Sequence, residues 1–314
     1  MKQSILTKPP VRALLALVSC ALWGSAFSSV KEGYAMLGIG SEDWASQLLF
    51  AGIRFVLAGI MALAAGSLRA GHLLLPQRQT LPKIGIISLF QTVIQYFCYY
   101  IGLAHTSGVK ASVLVGTNVF LAIIISTLLM RLERMTLRKA AGSVIGFLGI
   151  VAVNLGGLSG GLSFSLLGDG MILLCTAASG FSSAFMKKLS SGEDPVLLSG
   201  WQFLLGGAVL ALIGLLGGGR LGSMSPGAWL LLCYLAFVSA AAYSVWAMLL
   251  KANPVSKVAV FGFLNPICGV VISAIVLHEA GQINLRFLLA LVLVCIGIIT
   301  VNTEKVKTMP RSVL

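Results

Sequence analysis

Gln91, Gln95 and Tyr99 follow one another at every fourth residue, a spacing that stacks side chains along one face of an α-helix. The run around them is apolar. A hydrogen-bonding stripe in such surroundings is costly unless it faces protein or water. It therefore reads as the wall of a cavity that holds a polar solute, with hydrogen bonding between helices as the alternative. A second semi-polar face, Ser239, Tyr243 and Trp246, lies further along the chain, where Gln91 corresponds to Ser239 and Gln95 to Tyr243. Arg54 stands well inside another apolar run. Its planar guanidinium could take a carboxylate in a two-pronged grip, or it could be a structural arginine capped by carbonyls. Its counterpart, Gln202, is neutral, so the role is not symmetric. Asn118 and Asn265 are also counterparts. Pro266, after Asn265, frees a carbonyl from the helical ladder, which is tolerated in lipid where it lines a cavity. Val119 stands where the second copy has Pro266, so a helix break there is expected to be asymmetric. Trp23 and Phe181, each beside small residues, could stack on a solute or gate its path; ordinary packing is the other reading. Lys31, nearer the outer interface, is a weaker candidate for an anion contact.

Other chemistry is not supported. His278-Glu279 lacks the second histidine of a zinc-protease helix, and no G-x-S-x-G occurs, so an intramembrane enzyme is not expected. The six cysteines all lie in apolar runs without a C-x-x-C, and the three histidines are scattered. No metal site and no cofactor are expected. No ring of charge or filter motif suggests a channel. Glu133, Glu279 and Asp169 fall at helix ends and read as capping or gate elements. No carboxylate lies deep within a run, which argues against a carrier that trades protons for small cations.

These residues must be positioned by membrane helices. Of 314 residues 58% are hydrophobic and 10% charged, and mean hydropathy is +0.98, against roughly 25% charged residues in soluble domains. Apolar runs of about 20 residues match the hydrocarbon layer. Ten spans are read, at 11–31, 44–66, 82–103, 107–130, 136–154, 166–188, 194–217, 226–250, 254–277 and 283–301. Pro82, Pro195, Pro226 and Pro254 sit near span starts, where a missing N–H costs least; the Gly-rich stretches 156–161 and 217–219 mark turns. The first span is read as uncleaved despite its basic flank. The net charge of +13 does not imply nucleic-acid binding, because the basic residues are dispersed in short loops. Seventeen of them fall on the side of the N-terminus; Lys31, Lys110, Arg220 and Arg286 fall on the other. That asymmetry places both termini in the cytoplasm.

The chain also repeats itself. Leu148–Asn154 and Ile296–Asn302 match, as do Phe55–Gly59 and Phe203–Gly207, both at an offset of 148 residues; Asn118 and Asn265 match at 147. Gly24-Ser25-Ala26-Phe27 aligns with Ser182-Ser183-Ala184-Phe185 at 158, which makes Trp23 the counterpart of Phe181. Five spans per copy is an odd number, so the second copy enters the membrane inverted. The expected fold is an all-α membrane protein, ten transmembrane helices in two inverted five-helix repeats, residues 1–157 and 158–314. Such repeats place a solute site near the midplane and permit alternating access. Gly142, Gly146 and Gly149 form a ridge for close packing or for a dimer face.

Several of these residues resemble the drug/metabolite transporter superfamily, in particular its EamA-type ten-helix carriers, over nearly the whole chain. Ala21-Leu22-Trp23-Gly24-Ser25-Ala26-Phe27 with Lys31 is similar to the opening pattern of that family. Arg54-Phe55-Val56-Leu57-Ala58 is similar to its second-helix motif, and Glu133, Glu279 and Gly168-Asp169 fit as well. The resemblance implies a secondary exporter of small metabolites, amino acids first, with the aromatic amino acid and drug exporter branch nearest. A multidrug or nucleotide-sugar-like carrier is the alternative. The implied setting is a bacterial inner membrane, the implied partners a small-molecule substrate and the lipid bilayer, with a homodimer possible.

Overall fold

The computed structural model describes residues 5–40, 42–105, 114–154, 164–276 and 285–303. His278, Glu279, Lys110 and the 156–161 stretch lie outside them, as do the side chains of Lys31 and Arg286. The described residues form ten helical passes. These are α1 (Pro9–Leu37), α2 (Trp44–Ala70), α3 (Leu81–Ser88, Leu89–Ile94 and Gln95–Ala104 in succession), α4 (Leu114–Leu129) and α5 (Leu137–Asn154). The remaining five are α6 (Leu166–Leu189), α7 (Pro195–Leu216), α8 (Pro226–Ala252), α9 (Val255–Val276, through a 3-10 turn at Val260–Phe263) and α10 (Leu285–Asn302).

Local signals set the ends. Proline occupies the first turn of α1, α3, α7 and α8, where its absent N–H has no helical partner to lose. Asp43, Asp194 and Ser225 accept hydrogen bonds from Ser46 N, Val196 N and Ala228 N at 3.0, 2.7 and 3.2 Å. Gly38 and Gly71 close α1 and α2 in the left-handed conformation, at φ 67° and 73°, which a Cβ would strain. Six helices are long and apolar enough to cross a membrane. The 18-residue α5 and α10 reach about 27 Å at 1.5 Å per residue. Large apolar side chains such as Ile60, Leu174, Leu212 and Phe237 face outward, while Arg54, Gln91, Thr92 and Gln202 are buried. That is the distribution lipid demands.

Packing follows a two-fold rule. α2 lies against α7, and α5 against α10. α1 packs on α8 and α9, as α6 packs on α3 and α4; α2 meets α8, as α7 meets α3. Exchanging the first five helices with the last five leaves this pattern unchanged. The atoms repeat the symmetry. A Cβ on Gly59 would lie 2.7 Å from Gly200 O and from Leu204 N, and one on Gly207 would lie 2.8 Å from Gly52 O and 2.7 Å from Val56 N. Every residue in the first contact has its counterpart 148 positions away in the second.

The first and sixth helices obey the same rule in a different register. A Cβ on Gly24 would lie 2.7 Å from Gly269 N and 2.9 Å from Cys268 C, and one on Gly180 would lie 3.1 Å from Ala122 N and 3.2 Å from Leu121 C. Gly24 and Gly180 are therefore counterparts. The expected pairing of Trp23 with Phe181 is corrected: the structural counterpart of Trp23 is Ser179. The glycine ridge on α5 is used internally, with Gly142 against Gly297 and Val301 and Gly146 against Phe263, which favours scaffold packing over a dimer face.

Gly59→Ala places its Cβ against the α7 backbone at Gly200 and Leu204, so helix separation must change. Loss of about 1–3 kcal/mol is expected, read as earlier thermal unfolding in detergent, with Gly207→Ala costing a similar amount.

Candidate functional site

Aromatic side chains from α1, α2, α3, α7 and α8 meet on the axis that relates the halves. Phe55 and Phe203, 148 residues apart, stack at 5.2 Å with 4° between their planes. Tyr96 and Tyr243, 147 residues apart, share a hydroxyl hydrogen bond of 2.8 Å. The expected pairing of Gln95 with Tyr243 is corrected to Tyr96, because the π-helical turn at Leu89–Ile94 adds a residue to α3; each of these residues thus touches its own counterpart, which is possible only on the two-fold axis. Tyr96 lies 4.5 Å from Phe55, and Tyr243 5.0 Å from Phe203. Trp23 closes the group from α1, its ring 4.9 Å from Tyr243 and 5.1 Å from Trp246, edge-on to both. The rings pack face to face and edge to face on one another and are buried or partly buried.

Arg54 enters this group from α2. Ten residues into the helix, it lies roughly 15 Å from the start, near the middle of the layer. Its guanidinium carbon sits 4.4 Å from the Phe55 ring centre and 5.8 Å from that of Tyr96. Tyr34, Tyr99 and Tyr243 are within its electrostatic reach. Arg54 is 5% exposed, its Nε is buried without a partner, and it makes no ion pair or hydrogen bond with any described residue. Ring contacts contribute about 0.5–2 kcal/mol each, whereas burying a charge costs several. The deficit stays open. Its counterpart Gln202 is differently placed, since Gln202 Oε1 accepts a 2.6 Å hydrogen bond from Thr92 on α3.

The glutamine stripe is reshaped by a π-helical turn at Leu89–Ile94. The wider turn adds one residue to α3, so positions after it are displaced relative to regular spacing. Gln91 is buried with Oε1 unpartnered, near the start of the turn. Gln95 interacts with Tyr243, its Oε1 also unpartnered. Tyr99 packs on Tyr100 at 5.7 Å, and Ser239 is buried on α8. Asn118 donates to Ser179 Oγ at 3.2 Å; its Oδ1 and that of Asn265 are buried without partners. Phe181 is apart from the axial group, at 5.4 Å from Phe90 and 6.1 Å from Phe185. Sequence reasoning missed Tyr96, Phe55 and Phe203 as site residues. The matched Phe55–Gly59 and Phe203–Gly207 runs contained the signal for two of them: in a two-fold structure, matched aromatics can meet.

On the face where α1 begins, polar ties join the halves. Arg12 donates to Asn253 Oδ1 at 3.0 Å, and Arg69 pairs with Asp194 at 3.3 Å. Glu193 Oε1 accepts from Lys83 Nζ at 2.7 Å and Thr80 Oγ1 at 3.0 Å. Glu133, almost wholly buried, accepts from Lys139 Nζ at 2.8 Å, Ser126 Oγ at 3.1 Å and Ser256 N at 2.8 Å, and from Ser256 Oγ. It thus fastens the α4–α5 loop to the start of α9. The expectation of a helix-end or gate carboxylate fits this position.

The EamA-like transporter family matches the chain twice, over residues 11–155 and 166–303. The chain belongs to the EamA-like transporter family. It is a multi-pass membrane transporter, not an enzyme. It is 28% identical over 298 residues to the uncharacterized transporter YvbV of Bacillus subtilis strain 168, covering 93% of this chain and 92% of that protein. It is 29% identical over 268 residues to the uncharacterized inner membrane transporter YedA of Escherichia coli K12, covering 84% and 81%. A crystal structure shares its fold at a TM-score of 0.75 and 19% identity, over 92% of this chain and 95% of the other. The two matches to one family correspond to the two copies of the five-helix unit.

Glu133→Gln strands the buried Lys139 ammonium without its counter-charge, and a loss of about 3–5 kcal/mol is expected. Ser256→Ala removes one hydroxyl donor and should cost about 1 kcal/mol; chemical unfolding in mixed micelles measures both.

The Lys83 hydrogen bond, with Thr80 adding to it, holds the Glu193 carboxyl below the ordinary value of 4.5. The folded chain therefore binds this proton less readily than the unfolded one. The tie stabilises above about 4.5 and is lost as pH falls through the lower, folded value. Lys83→Met should lower the unfolding temperature near neutral pH, and the gap from wild type should narrow as the pH falls below about 4.5. A gap unchanged by acid would contradict the assignment.

Proposed function

We propose that this transporter is a secondary carrier that works by alternating access and exports small amphipathic metabolites, amino acids first among them. The observation that carries the reading is the contact of counterpart residues, Tyr96 with Tyr243 and Phe55 with Phe203, on the axis between the halves. A solute bound there is approached equivalently from either side when the units 1–157 and 158–314 rock against each other. Trp23, Tyr243, Trp246 and Tyr99 supply ring surface. Gln91, Gln95 and Ser239 supply hydrogen bonds, and Arg54 supplies charge. Asn118 and Asn265 mark the points where α4 and α9 flex, and Phe181 belongs to a flanking wall.

The face with the N-terminus is assigned to the cytoplasm of a bacterial inner membrane. Support comes from the Lys and Arg asymmetry and from the inner membrane relative of Escherichia coli. On this assignment the ties of Glu133, Glu193, Asp194 and Asn253 hold the cytoplasmic side together in the present conformation. The carrier must break them to load its cargo from inside.

Proteoliposomes loaded with labelled amino acids test the proposal. Protein-dependent efflux is expected for at least one aromatic or branched amino acid. Tyr243→Phe should slow it by about fivefold through loss of one hydrogen bond, and Trp23→Ala by more. Absence of protein-dependent flux across a panel of amino acids and related amphipathic solutes would refute the carrier reading.

A further inference from the structure

Three cations are buried among the described residues: Arg12, Arg54 and Lys139. Two of them have polar partners at the N-terminal face: Lys139 pairs with Glu133, and Arg12 donates to Asn253 Oδ1 and Thr7 O, although its Nε, like that of Arg54, is buried without a partner. Arg54 lies mid-span, and no described acid reaches it. Glu133, Glu193 and Asp194 are paired with Lys139, Lys83 and Arg69, and Asp43 caps α2. Its Nε points into protein without an acceptor. A fixed positive charge in lipid without a counter-charge marks a solute path.

What surrounds Arg54 narrows the solute. Phe55 and Tyr96 lie under and beside the guanidinium, and through Tyr96 the ring group continues to Tyr243 and Trp23. Trp23 Nε1 is buried without a partner, so it offers a free hydrogen-bond donor. One cation with a neutral donor suits a single planar oxyanion, which the arginine fork matches in geometry. A phosphate dianion would call for a second cation in the site. A substrate ammonium has only neutral oxygens available, such as Gln95 Oε1, and no described carboxylate.

We infer that Arg54 is the anchor for the carboxylate of the substrate, and that the site selects organic monocarboxylates with an apolar or aromatic body, the carboxylate being required and the ammonium dispensable. The inference rests on the carrier reading and names its substrate class. It also separates two groups that an amino acid carries together.

Four matched compounds test it on the full-length protein: phenylalanine, 3-phenylpropionate, 3-phenylpropionamide and phenethylamine. Binding is followed by ligand-induced thermal stabilisation in detergent, and transport by counterflow in liposomes. The two carboxylates should bind, and the amide and amine should bind at least roughly tenfold more weakly. In Arg54→Gln the carboxylates should fall to the level of the amide, a loss of roughly thirtyfold or more, with amide binding unchanged. If Arg54→Gln does not fold, Arg54→Lys keeps the charge without the fork and should give an intermediate loss for carboxylates alone. Equal binding of carboxylate and amide by wild type overturns the inference, as does an equal loss of all four in the variant. So does failure of either carboxylate to bind. Carboxylate binding without counterflow leaves Arg54 as the anchor and removes the carrier reading instead.

Discussion

Two helices that meet backbone to backbone at matched glycines set the frame of this protein. Gly59 and Gly207 let α2 and α7 meet backbone to backbone, and each glycine lies on the counterpart of what the other touches. In lipid no hydrophobic force drives helices together, so close approach and dispersion carry association. Such contact fixes the distance and angle of the central pair. Once these are fixed, Phe55 and Phe203 must stack across the axis, and α3 and α8 must cross where Tyr96 and Tyr243 meet. The aromatic centre is a consequence of the glycine contact, reached through two layers of packing.

The scaffold is symmetric, and its lining is not. Arg54 and Gln202 occupy equivalent places on α2 and α7. Gln202 is bonded to Thr92 across the half boundary, while Arg54 makes only ring contacts among the described residues. Exchanging the halves maps the Gly59 contact onto the Gly207 contact, so the backbone frame itself is symmetric. On α2 and α7 the asymmetry therefore lies in the side chains.

The amount of this legible in the sequence follows from how local each signal is. Spans depend on runs of apolar residues and survive any tertiary detail, so the ten passes could be read directly. The offset of 148 was readable on α2 and α7 because no insertion separates those helices from their counterparts. Register elsewhere was less accessible. The π-helical turn at Leu89–Ile94 shifts Tyr96 to the place that regular spacing gives to Gln95, and nothing in the local composition announces the extra residue. Trp23 was matched to Phe181 because Ser-Ala-Phe recurs, yet Gly24 and Gly180 show where those helices touch. In apolar helices a shared triplet is cheap to repeat, while a glycine pressed on a neighbouring backbone is not.

Arg54 was conspicuous in the sequence as a charge within a span, but its meaning depended on a fact no single sequence carries, namely which acids it could reach. A buried arginine with a carboxylate beside it is a structural element, and its removal costs stability through the partner left behind. A buried arginine whose described neighbours are rings is held at a cost that packing must offset continuously. The glycine contact between α2 and α7 makes this possible: a tightly fixed helix pair keeps Arg54 from swinging to the interface, where its side chain would find water. The rigidity that fixes the axis is thus also what keeps the charge among the rings.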